Sequence, residues 1–293
     1  MNTTMIGLYA ETSIHAGAGT STGVVDMPIM REAHTGYPCI FGSAMKGAFR
    51  SYVETQITDK DKIRNIFGSE ANEQTAWAGA LMMGDARLLL LPVRSLTSHF
   101  RWVTCPAILK RLQNDLNRLN INKTLQIPNI NSDDQCLTSK GNEKNLYLEE
   151  YNYQVAQLQN SQEIIKILSL FAPISDEDLE KQLTIVSDNQ FSHLSQMATA
   201  ITPHIAIESE SKTVKAGALW YEETLPSDTI MYTFMSTENT RNKDGEYSAE
   251  KIQQDLQEIL KKTPYLQVGG NETVGMGWMH LNFINASKGE GHD

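Results

Sequence analysis

The sequence predicts an α+β fold, because runs typical of strands and runs typical of helices are both spread along the chain. Residues 3–11 (TTMIGLYAE) are short and partly alternating, as in a strand. Residues 80–95 (ALMMGDARLLLLPVRS) form an apolar run typical of a buried strand. Residues 248–262 (SAEKIQQDLQEILKK) place their apolar side chains on one face of a helix. With 293 residues, the chain is long enough to bury a sizeable core.

Shorter elements are predicted between these three. Residues 24–30 (VVDMPIM) indicate a second strand with Pro28 at an edge or bulge, and Pro92 is expected to end the strand of residues 80–95. Residues 212–226 (KTVKAGALWYEETLP) are typical of a β-hairpin with an exposed basic tip formed by Lys212 and Lys215. The polar residues 120–145 predict a long loop.

Composition excludes several classes of protein. No apolar run approaches the roughly 18 residues of a membrane span, and the N-terminus lacks the pattern of a signal peptide. We therefore expect no membrane partner and a cytoplasmic location. Three widely spaced cysteines, Cys39, Cys105 and Cys136, predict buried thiols in place of a disulfide framework or a zinc site.

The net charge of −10 is unevenly distributed. Residues 1–111 carry a net charge of +2, whereas the remainder carries −12. The N-terminal part can therefore present a basic face to a nucleic acid even though the whole chain is acidic. A solvated surface with uneven charge is the alternative, and charge alone favours neither.

The stretch from His15 to Arg50 holds the main candidate functional residues. His15 precedes a glycine-rich loop, and Asp26 is a lone acid in apolar surroundings. Asp26 has two interpretations from the residues alone, a catalytic carboxylate or an aspartate that caps backbone N–H groups.

A helix is expected to begin at Gly42-Ser43, with Ser43 as its N-cap. Lys46 and Arg50 lie four residues apart on one face of this helix. A helix N-terminus with unpaired N–H groups and a lysine one turn further on is typical of a phosphate site. The alternative is a surface helix whose charges serve only solubility.

Two further stretches indicate nucleic-acid contact. Residues 87–111 contain five Lys or Arg and no acid, with His99, Phe100 and Trp102 among them, a mixture that suits single-stranded nucleic acid or a core with snorkelling cations. Residues 266–283 predict a strand, a glycine-rich loop and a second strand, and that order excludes a dinucleotide-binding loop. His193 and His204 have no ligand-spaced partners, which favours structural roles.

Together these stretches resemble the repeat-associated (RAMP) proteins of CRISPR systems. HAGAG, VVDMPIMREAHTGYPCIFGSAMKGAFR, GDARLLLLPVRS, TVKAGALWYEE and GGNETVGMGW carry the resemblance, which runs from about residue 5 to residue 283. Their ordered set is most similar to the backbone subunit of the type III-B (Cmr) effector complex, an antiviral defence system.

The resemblance implies a single domain over residues 1–293 with a modified ferredoxin-like, RRM-like palm. Helical or loop insertions would form the fingers at residues 59–84 and 112–200. A thumb hairpin would occupy residues 208–226, and residues 284–293 would form a disordered tail.

The resemblance also implies residue roles. Asp26 matches the residue on which target-RNA cleavage depends, His15 lies beside the guide, and Glu222 occupies an acidic thumb position. The tyrosine expected after Glu222 is Thr224 here. The implied RNA-binding residues are Gly42, Ser43, Lys46, Arg50, Arg31, Lys212, Lys215, Trp220, Gly270, Gly275 and Gly277.

The resemblance further suggests a metal-dependent endoribonuclease. A solitary Asp26 can hold Mg²⁺ or another divalent cation only with help from water and substrate phosphates. The implied partners are a CRISPR RNA, a target RNA, other Cmr subunits and further copies of the chain in a helical filament. Specificity would come from guide–target base pairing.

Three other functions remain open at this point. The chain could be a guide-RNA scaffold without nuclease activity, or a metal-independent endonuclease that processes CRISPR RNA with His15 as general base. It could also be the backbone subunit of the related type III-A complex.

Overall fold

The computed structural model describes residues 2–69, 77–140, 144–241 and 247–284. Helices and strands both occur throughout these residues, which confirms the prediction of a mixed fold. The helices are α1 (Gly42–Gln56), α2 (Lys60–Phe67), α3 (Pro106–Arg118), α4 (Ser161–Leu168), α5 (Asp176–Gln182), α6 (Asp188–Met197) and α7 (Ala249–Lys262). The strands are β1 (Asn2–Ala10), β2 (Cys39–Ile40), β3 (Leu81–Met83), β4 (Ala86–Ser95), β5 (His99–Thr104), β6 (Gln135–Thr138), β7 (Asn145–Leu148), β8 (Tyr151–Gln157), β9 (Leu183–Val186), β10 (Ala200–Ile207), β11 (Val214–Thr224), β12 (Ile230–Thr237), β13 (Tyr265–Gln267) and β14 (Trp278–Ile284).

One large sheet organises the molecule, and β1 lies inside it. The sheet runs in the order β13-β14-β1-β12-β4-β5-β9-β6-β8-β7, with β2 beside β4 and β3 beside β12. β1 pairs antiparallel with β12 on one side and with β14 on the other. Residues 4–8 of β1 are buried, as expected for a strand with a neighbour on both sides.

The far half of this sheet curls back on itself. β4, β5, β9, β6, β8 and β7 follow one another, and a bridge between Ser95 and Leu148 joins β7 to β4. Four of these strands lie in residues 112–200, and of these β7 and β8 coincide with a run at 146–158 that is typical of a strand. Residues 59–84 contribute β3 beside α2, and β3 lies within the strand predicted for residues 80–95. Both predicted insertions therefore contain strands of the sheet and are not made of helices and loops alone.

Helices α1 and α7 bury the apolar stripes that the sequence predicted. Met45, Phe49 and Val53 of α1 are buried, as are Ile252, Leu256 and Leu260 of α7. Burying one such side chain stabilises the fold by about 1.5–3 kcal/mol. This packing fixes α1, the helix that carries Lys46 and Arg50, against the rest of the core.

Several boundaries differ from the prediction. Residues 24–30 form only isolated bridges and no strand. Met27 pairs with Glu222 but Ile29 pairs with Gly17, so no continuous ladder forms. Pro92 does not end β4 but lies inside it opposite Trp102. The hairpin is formed by β10 and β11 and so begins at residue 200, before both predicted starts.

The remaining predictions on the fold have mixed outcomes. Cys39, Cys105 and Cys136 are free and buried, which confirms the prediction of buried thiols. No helix in the described residues has the length and apolarity needed to cross a membrane. Residue 284, the start of the predicted tail, belongs to β14, and residues 285–293 lie outside the described residues.

Candidate nucleic-acid interface

The loop between β1 and β2 lies along the base of the β10–β11 hairpin. Ile14 and Leu225 exchange backbone hydrogen bonds at 2.9 Å. Further along, Met27 forms a parallel bridge with Glu222. These pairings bring the His15 and Asp26 regions, which are separated in sequence, to the same end of β11.

Asp26 is half-buried and anchored on one side. Its Oδ2 accepts a hydrogen bond from the backbone N–H of Tyr221 at 2.7 Å. Its backbone carbonyl accepts a hydrogen bond from the N–H of Ser21 at 2.8 Å, which closes the exposed 21–26 turn. Among the described residues, Oδ1 accepts no hydrogen bond. One carboxylate oxygen thus fixes the side chain, and the other is available for chemistry.

His15 lies beside Glu222, so the structure brings two of the three predicted catalytic residues together. His15 Nδ1 is 2.8 Å from the carbonyl oxygen of Glu223 and 3.7 Å from Oε1 of Glu222. The same Oε1 accepts a hydrogen bond from Asn271 Nδ2. Glu222 is only 3% exposed. Its carboxylate therefore interacts with these neighbours in place of water.

Glu223 points to the other side of β11 and holds Arg31. Arg31 donates to Oε1 of Glu223 at 2.5 Å and to the carbonyls of Gly36 and Ser195 at 2.9 Å. These bonds engage the guanidinium inside the protein, a structural role of Arg31 that the sequence did not predict. Its contact with RNA stays a prediction.

The glycine-rich loop before β14 packs on the His15 segment. The N–H of Gly270 donates to the carbonyl of His15, and the N–H of Gly277 donates to the carbonyl of Ser13, both at 2.9 Å. Gly275 donates to Glu272 within the loop, also at 2.9 Å. The N–H groups of the three predicted glycines therefore bind within the protein, and contact of this loop with RNA stays a prediction.

The N-terminus of α1 is capped differently from the prediction. Phe41 is the N-cap residue, and Ser43 lies inside the helix without a capping hydrogen bond. The N–H of Gly42 donates to Oδ1 of Asp85 at 2.7 Å. The predicted set of open N–H groups is therefore wrong at Gly42, because a carboxylate from the loop between β3 and β4 already satisfies it.

Lys46 lies one turn into α1 and is half-buried. Burial lowers the pKa of its ammonium group, and the nearby charges of Arg241 and Arg50 lower it further. Arg50 donates to Oε1 of Glu54 at 2.8 Å and to the carbonyl of Gly68 at 3.4 Å. A desolvated lysine among other cations is electrostatically ready for an anion such as phosphate.

The hairpin carries the other predicted RNA-binding residues, but its tip is not basic. The segment from Glu208 to Thr213 connects the strands and contains Glu210 and Lys212, so acids outnumber the lysine there. Lys215 is exposed on β11. The rings of Trp220 and His204 stack with centroids 5.5 Å apart at an angle of 15°.

Part of the cation-rich stretch, residues 87–111, is engaged inside the protein. Arg87 pairs with buried Asp115 at 3.0 Å, and Arg111 pairs with Glu32 at 2.6 Å. Trp102 is buried and donates from its indole nitrogen to a backbone carbonyl. These side chains fit the alternative of a core with paired cations at its rim, whereas Arg94 and Lys110 are exposed and their contact with RNA stays a prediction.

The described residues by themselves do not fit a protein-held metal ion. The described residues contain no group of three or more His, Cys, Asp or Glu arranged to hold one. Asp26 supplies a single carboxylate with one oxygen already engaged. A divalent cation here would need most of its ligands from elsewhere.

Sequence reasoning missed Glu223, Asn271 and Asp85. The alternation of side chains in β11 indicates that Glu222 and Glu223 face opposite ways, but it does not tell which one faces which partner. Asn271 and Asp85 lie in loops, where no periodic signal exists.

The fold and this site define a known class of protein. Residues 8–280 match the RAMP superfamily, and the chain belongs to it. It is 34% identical over 298 residues to the CRISPR system Cmr endoribonuclease Cmr4 of Pyrococcus furiosus, covering 99% of each protein. It is 28% identical over 309 residues to the CRISPR system CMR subunit Cmr4 of Saccharolobus solfataricus, covering 95% of each. The crystal structure of oligomeric Cmr4 from Pyrococcus furiosus has a TM-score of 0.74 at 29% identity, covering 98% of this chain and 100% of that one.

Proposed function

We propose that this chain is the backbone subunit of a type III-B CRISPR effector complex. In this role it binds a CRISPR RNA and cleaves guide-complementary target RNA at regular intervals, as part of antiviral defence. The observation that carries the proposal is the 34% identity, along 99% of both chains, to a protein named a Cmr endoribonuclease. The placement of Asp26 against the base of the hairpin is consistent with it.

The same proposal includes a ferredoxin-like palm. β1, α1, β4, β12, α7 and β14 follow one another in a β-α-β-β-α-β order once the intervening segments are left aside. Their four strands lie side by side as β14-β1-β12-β4, with β1 and β12 in the middle. This order supports an RRM-like palm, from which the β10–β11 hairpin would extend as the thumb.

Cleavage of RNA requires a base near the nucleophile and an in-line arrangement at the phosphorus. The unengaged oxygen of Asp26 is the group that would take a proton from the 2′-hydroxyl or from water. The hairpin, with its stacked Trp220 and His204, would separate bases and allow the sugar–phosphate link to reach the in-line geometry. Lys46 would hold the guide backbone.

Mg²⁺ or another divalent cation belongs to the proposal only as an ion brought with the RNA. When bound, it would neutralise charge on the scissile phosphate and favour deprotonation of the nucleophile. RNA phosphates and water would supply the ligands that this chain lacks. Asp26 would be the chain's contribution.

The proposed partners are the guide RNA, the target RNA, other Cmr subunits and further copies of this chain, in the cytoplasm. Self-association into a filament is supported by the oligomeric crystal form of the Pyrococcus furiosus relative. A head-to-tail interface whose rotation does not close into a ring repeats along a filament, and such repetition would space the cuts evenly.

The deciding experiment compares Asp26→Asn with the unaltered chain in the reconstituted complex. Asparagine keeps an oxygen for the Tyr221 N–H but loses the charge. Asp188→Asn is the matched control, because Asp188 also accepts a backbone N–H, that of Ala107 at 2.8 Å. We expect a ladder of evenly spaced cuts in Mg²⁺ that disappears with Asp26→Asn and with EDTA, while target binding persists.

Other results would point to the other functions. An unchanged ladder with Asp26→Asn would mean that this chain is a scaffold and that another residue cuts. Cleavage of a guide precursor by the isolated chain in EDTA, abolished by His15→Ala, would indicate a processing endonuclease instead.

A further inference from the structure

We propose that Glu223 is the positioning residue of the site. Its buried carboxylate holds the loop that carries Asp26 against the hairpin, with Arg31 as its counter-charge. This inference rests on the proposed function, because the position of the loop matters to cleavage through Asp26.

The Glu223 carboxylate accepts three hydrogen bonds, one at Oε2 and two at Oε1. Oε2 accepts from the backbone N–H of Ile29 at 3.0 Å, in the loop just after Asp26. Oε1 accepts from Arg31 at 2.5 Å and from the hydroxyl of Thr199 at 2.7 Å. The carboxylate of Glu223 therefore joins the base of the hairpin to the loop that carries Asp26 and to the segment after α6.

The ion pair is removed from solvent, which makes it sensitive to loss of either charge. The side chain of Glu223 is 8% exposed and that of Arg31 is 22% exposed. Taking away one member of such a pair leaves an uncompensated charge in a region with little water. The remaining bonds of Arg31 go to two backbone carbonyls and to the hydroxyl of Thr199 at 3.4 Å, and these neutral groups cannot replace a carboxylate.

A continuous set of hydrogen bonds connects Glu223 to Asp26. The N–H of Glu223 donates to the carbonyl of Met27, and the N–H of Met27 donates to the carbonyl of Tyr221, each at 3.0 Å. The N–H of Tyr221 then donates to the Asp26 carboxylate at 2.7 Å. These bonds hold Met27 and the Asp26 carboxylate against β11, and the bond from Ile29 to the Glu223 side chain is a second attachment of the same loop.

The backbone of Glu223 also orients His15. The carbonyl oxygen of Glu223 lies 2.8 Å from His15 Nδ1. His15 thus contacts the main chain of Glu223, whereas the Glu223 side chain binds the loop at Ile29, three residues after Asp26. Glu222 differs from Glu223 in the partners of its carboxylate. Among the described residues that carboxylate contacts His15 and Asn271, and it accepts no hydrogen bond from a backbone N–H of the loop that carries Asp26.

The first test measures amide hydrogen exchange in the isolated chain with Glu223→Gln. A glutamine places an NH₂ group against one of the three donors, so the clamp loses a bond as well as its charge. We expect exchange across residues 26–31 to accelerate by about tenfold or more, the ratio that follows from losing a charge-assisted hydrogen bond. Asp255→Asn, which breaks the pairs of Asp255 with Lys62 and Lys251, should leave this segment unchanged.

The second test measures single-turnover cleavage in the reconstituted complex. With Glu223→Gln we expect the rate at saturating target RNA to fall by about 10²-fold, as for a reacting group displaced by about 1 Å. Target affinity should stay within about twofold, a split that general loss of structure would not produce. Asp255→Asn should cleave at the unaltered rate.

If Glu223→Gln does not assemble, Thr199→Val removes the hydroxyl that donates to Glu223 at 2.7 Å and accepts from Arg31 at 3.4 Å, and it leaves the ion pair. It should shift both measurements in the same direction by a few-fold. Unchanged exchange across residues 26–31, or unchanged cleavage, would overturn the inference. Asp26→Asn is measured in parallel: if it cleaves normally the proposed function fails, whereas the exchange measurement still decides whether Glu223 holds the loop.

Discussion

The carboxylate of Asp85 accepts a hydrogen bond from the backbone N–H of Gly42 at 2.7 Å, and this contact closes the N-terminus of the helix that carries Lys46. A carboxylate at this end also complements the helix dipole. The first turn of the helix is thus held by the loop between β3 and β4, which is distant from it in sequence.

Asp85→Ala should lower the free energy of unfolding by about 1 kcal/mol, as for other lost helix caps. Urea unfolding of the isolated chain measures this change through a lower midpoint with an unaltered slope. Asp59→Ala is a useful comparison, because Asp59 caps α2 through the N–H of Lys62 at 3.0 Å. Equal stability of Asp85→Ala and the unaltered chain would show that the contact has no energetic role.

His15→Ala should destabilise the fold by about 1–3 kcal/mol, because it removes the hydrogen-bond partner that His15 Nδ1 provides to the backbone carbonyl of buried Glu223. The same substitution at His34, an exposed histidine of the same loop, should have little effect. Chemical denaturation of the two variants provides the comparison. A destabilisation at His34 as large as that at His15 would contradict the assignment.

Lys46→Met should weaken guide-RNA binding and reduce the slope of log affinity against log salt concentration by about 1. Lys166→Met removes an exposed lysine from α4 and serves as the control for charge alone. Fluorescence anisotropy with labelled guide RNA at several salt concentrations gives both quantities. An unchanged slope with Lys46→Met would exclude a phosphate contact.

The pKa of Lys46 adds a pH dependence to that binding. Burial, followed by the charges of Arg241 and Arg50, lowers the pKa, so the free protein loses this positive charge at a lower pH than an ordinary lysine does. Phosphate favours the protonated form. Affinity should therefore be greatest below the lowered pKa and fall as the pH rises through it, and Lys46→Met should show a smaller fall.

The three thiols should be inert in the folded protein. Burial raises the pKa of Cys39 to about 11 and the pKa of Cys105 and Cys136 to about 12. At pH 8 very little thiolate is present, and it is inaccessible. Ellman's reagent should release no colour within minutes from the native chain and three equivalents after denaturation. Rapid reaction of the native chain would contradict the burial of at least one thiol.

Periodic elements could be predicted from the sequence because each buries a regular stripe. The helices α1 and α7 follow this rule. The hairpin was predicted to begin at Lys212, which lies in the turn between its two strands. The actual turn uses Lys212 in a left-handed conformation, with φ of 56°, and Pro203 lies within a strand.

The site could be predicted only in part, for a physical reason. Asp26 and His15 were identifiable by a resemblance that covers the whole chain, but their partners come from residues about 200 positions away. Glu223 accepts from Ile29 across 194 positions of sequence. No local pattern reveals such a contact. Arginines 87 and 111 illustrate the converse, because acids distant in sequence neutralise a run that looks basic.

The β10–β11 hairpin forms a sheet of its own and exposes Ile201, Ile205 and Leu219 to solvent. A two-stranded ribbon of this kind is marginally stable by itself. The loop between β1 and β2 holds only the base of this ribbon, so the order of its outer part depends on contacts of those exposed side chains. A partner that covered them would order the ribbon as it bound, and binding and ordering would then be one equilibrium.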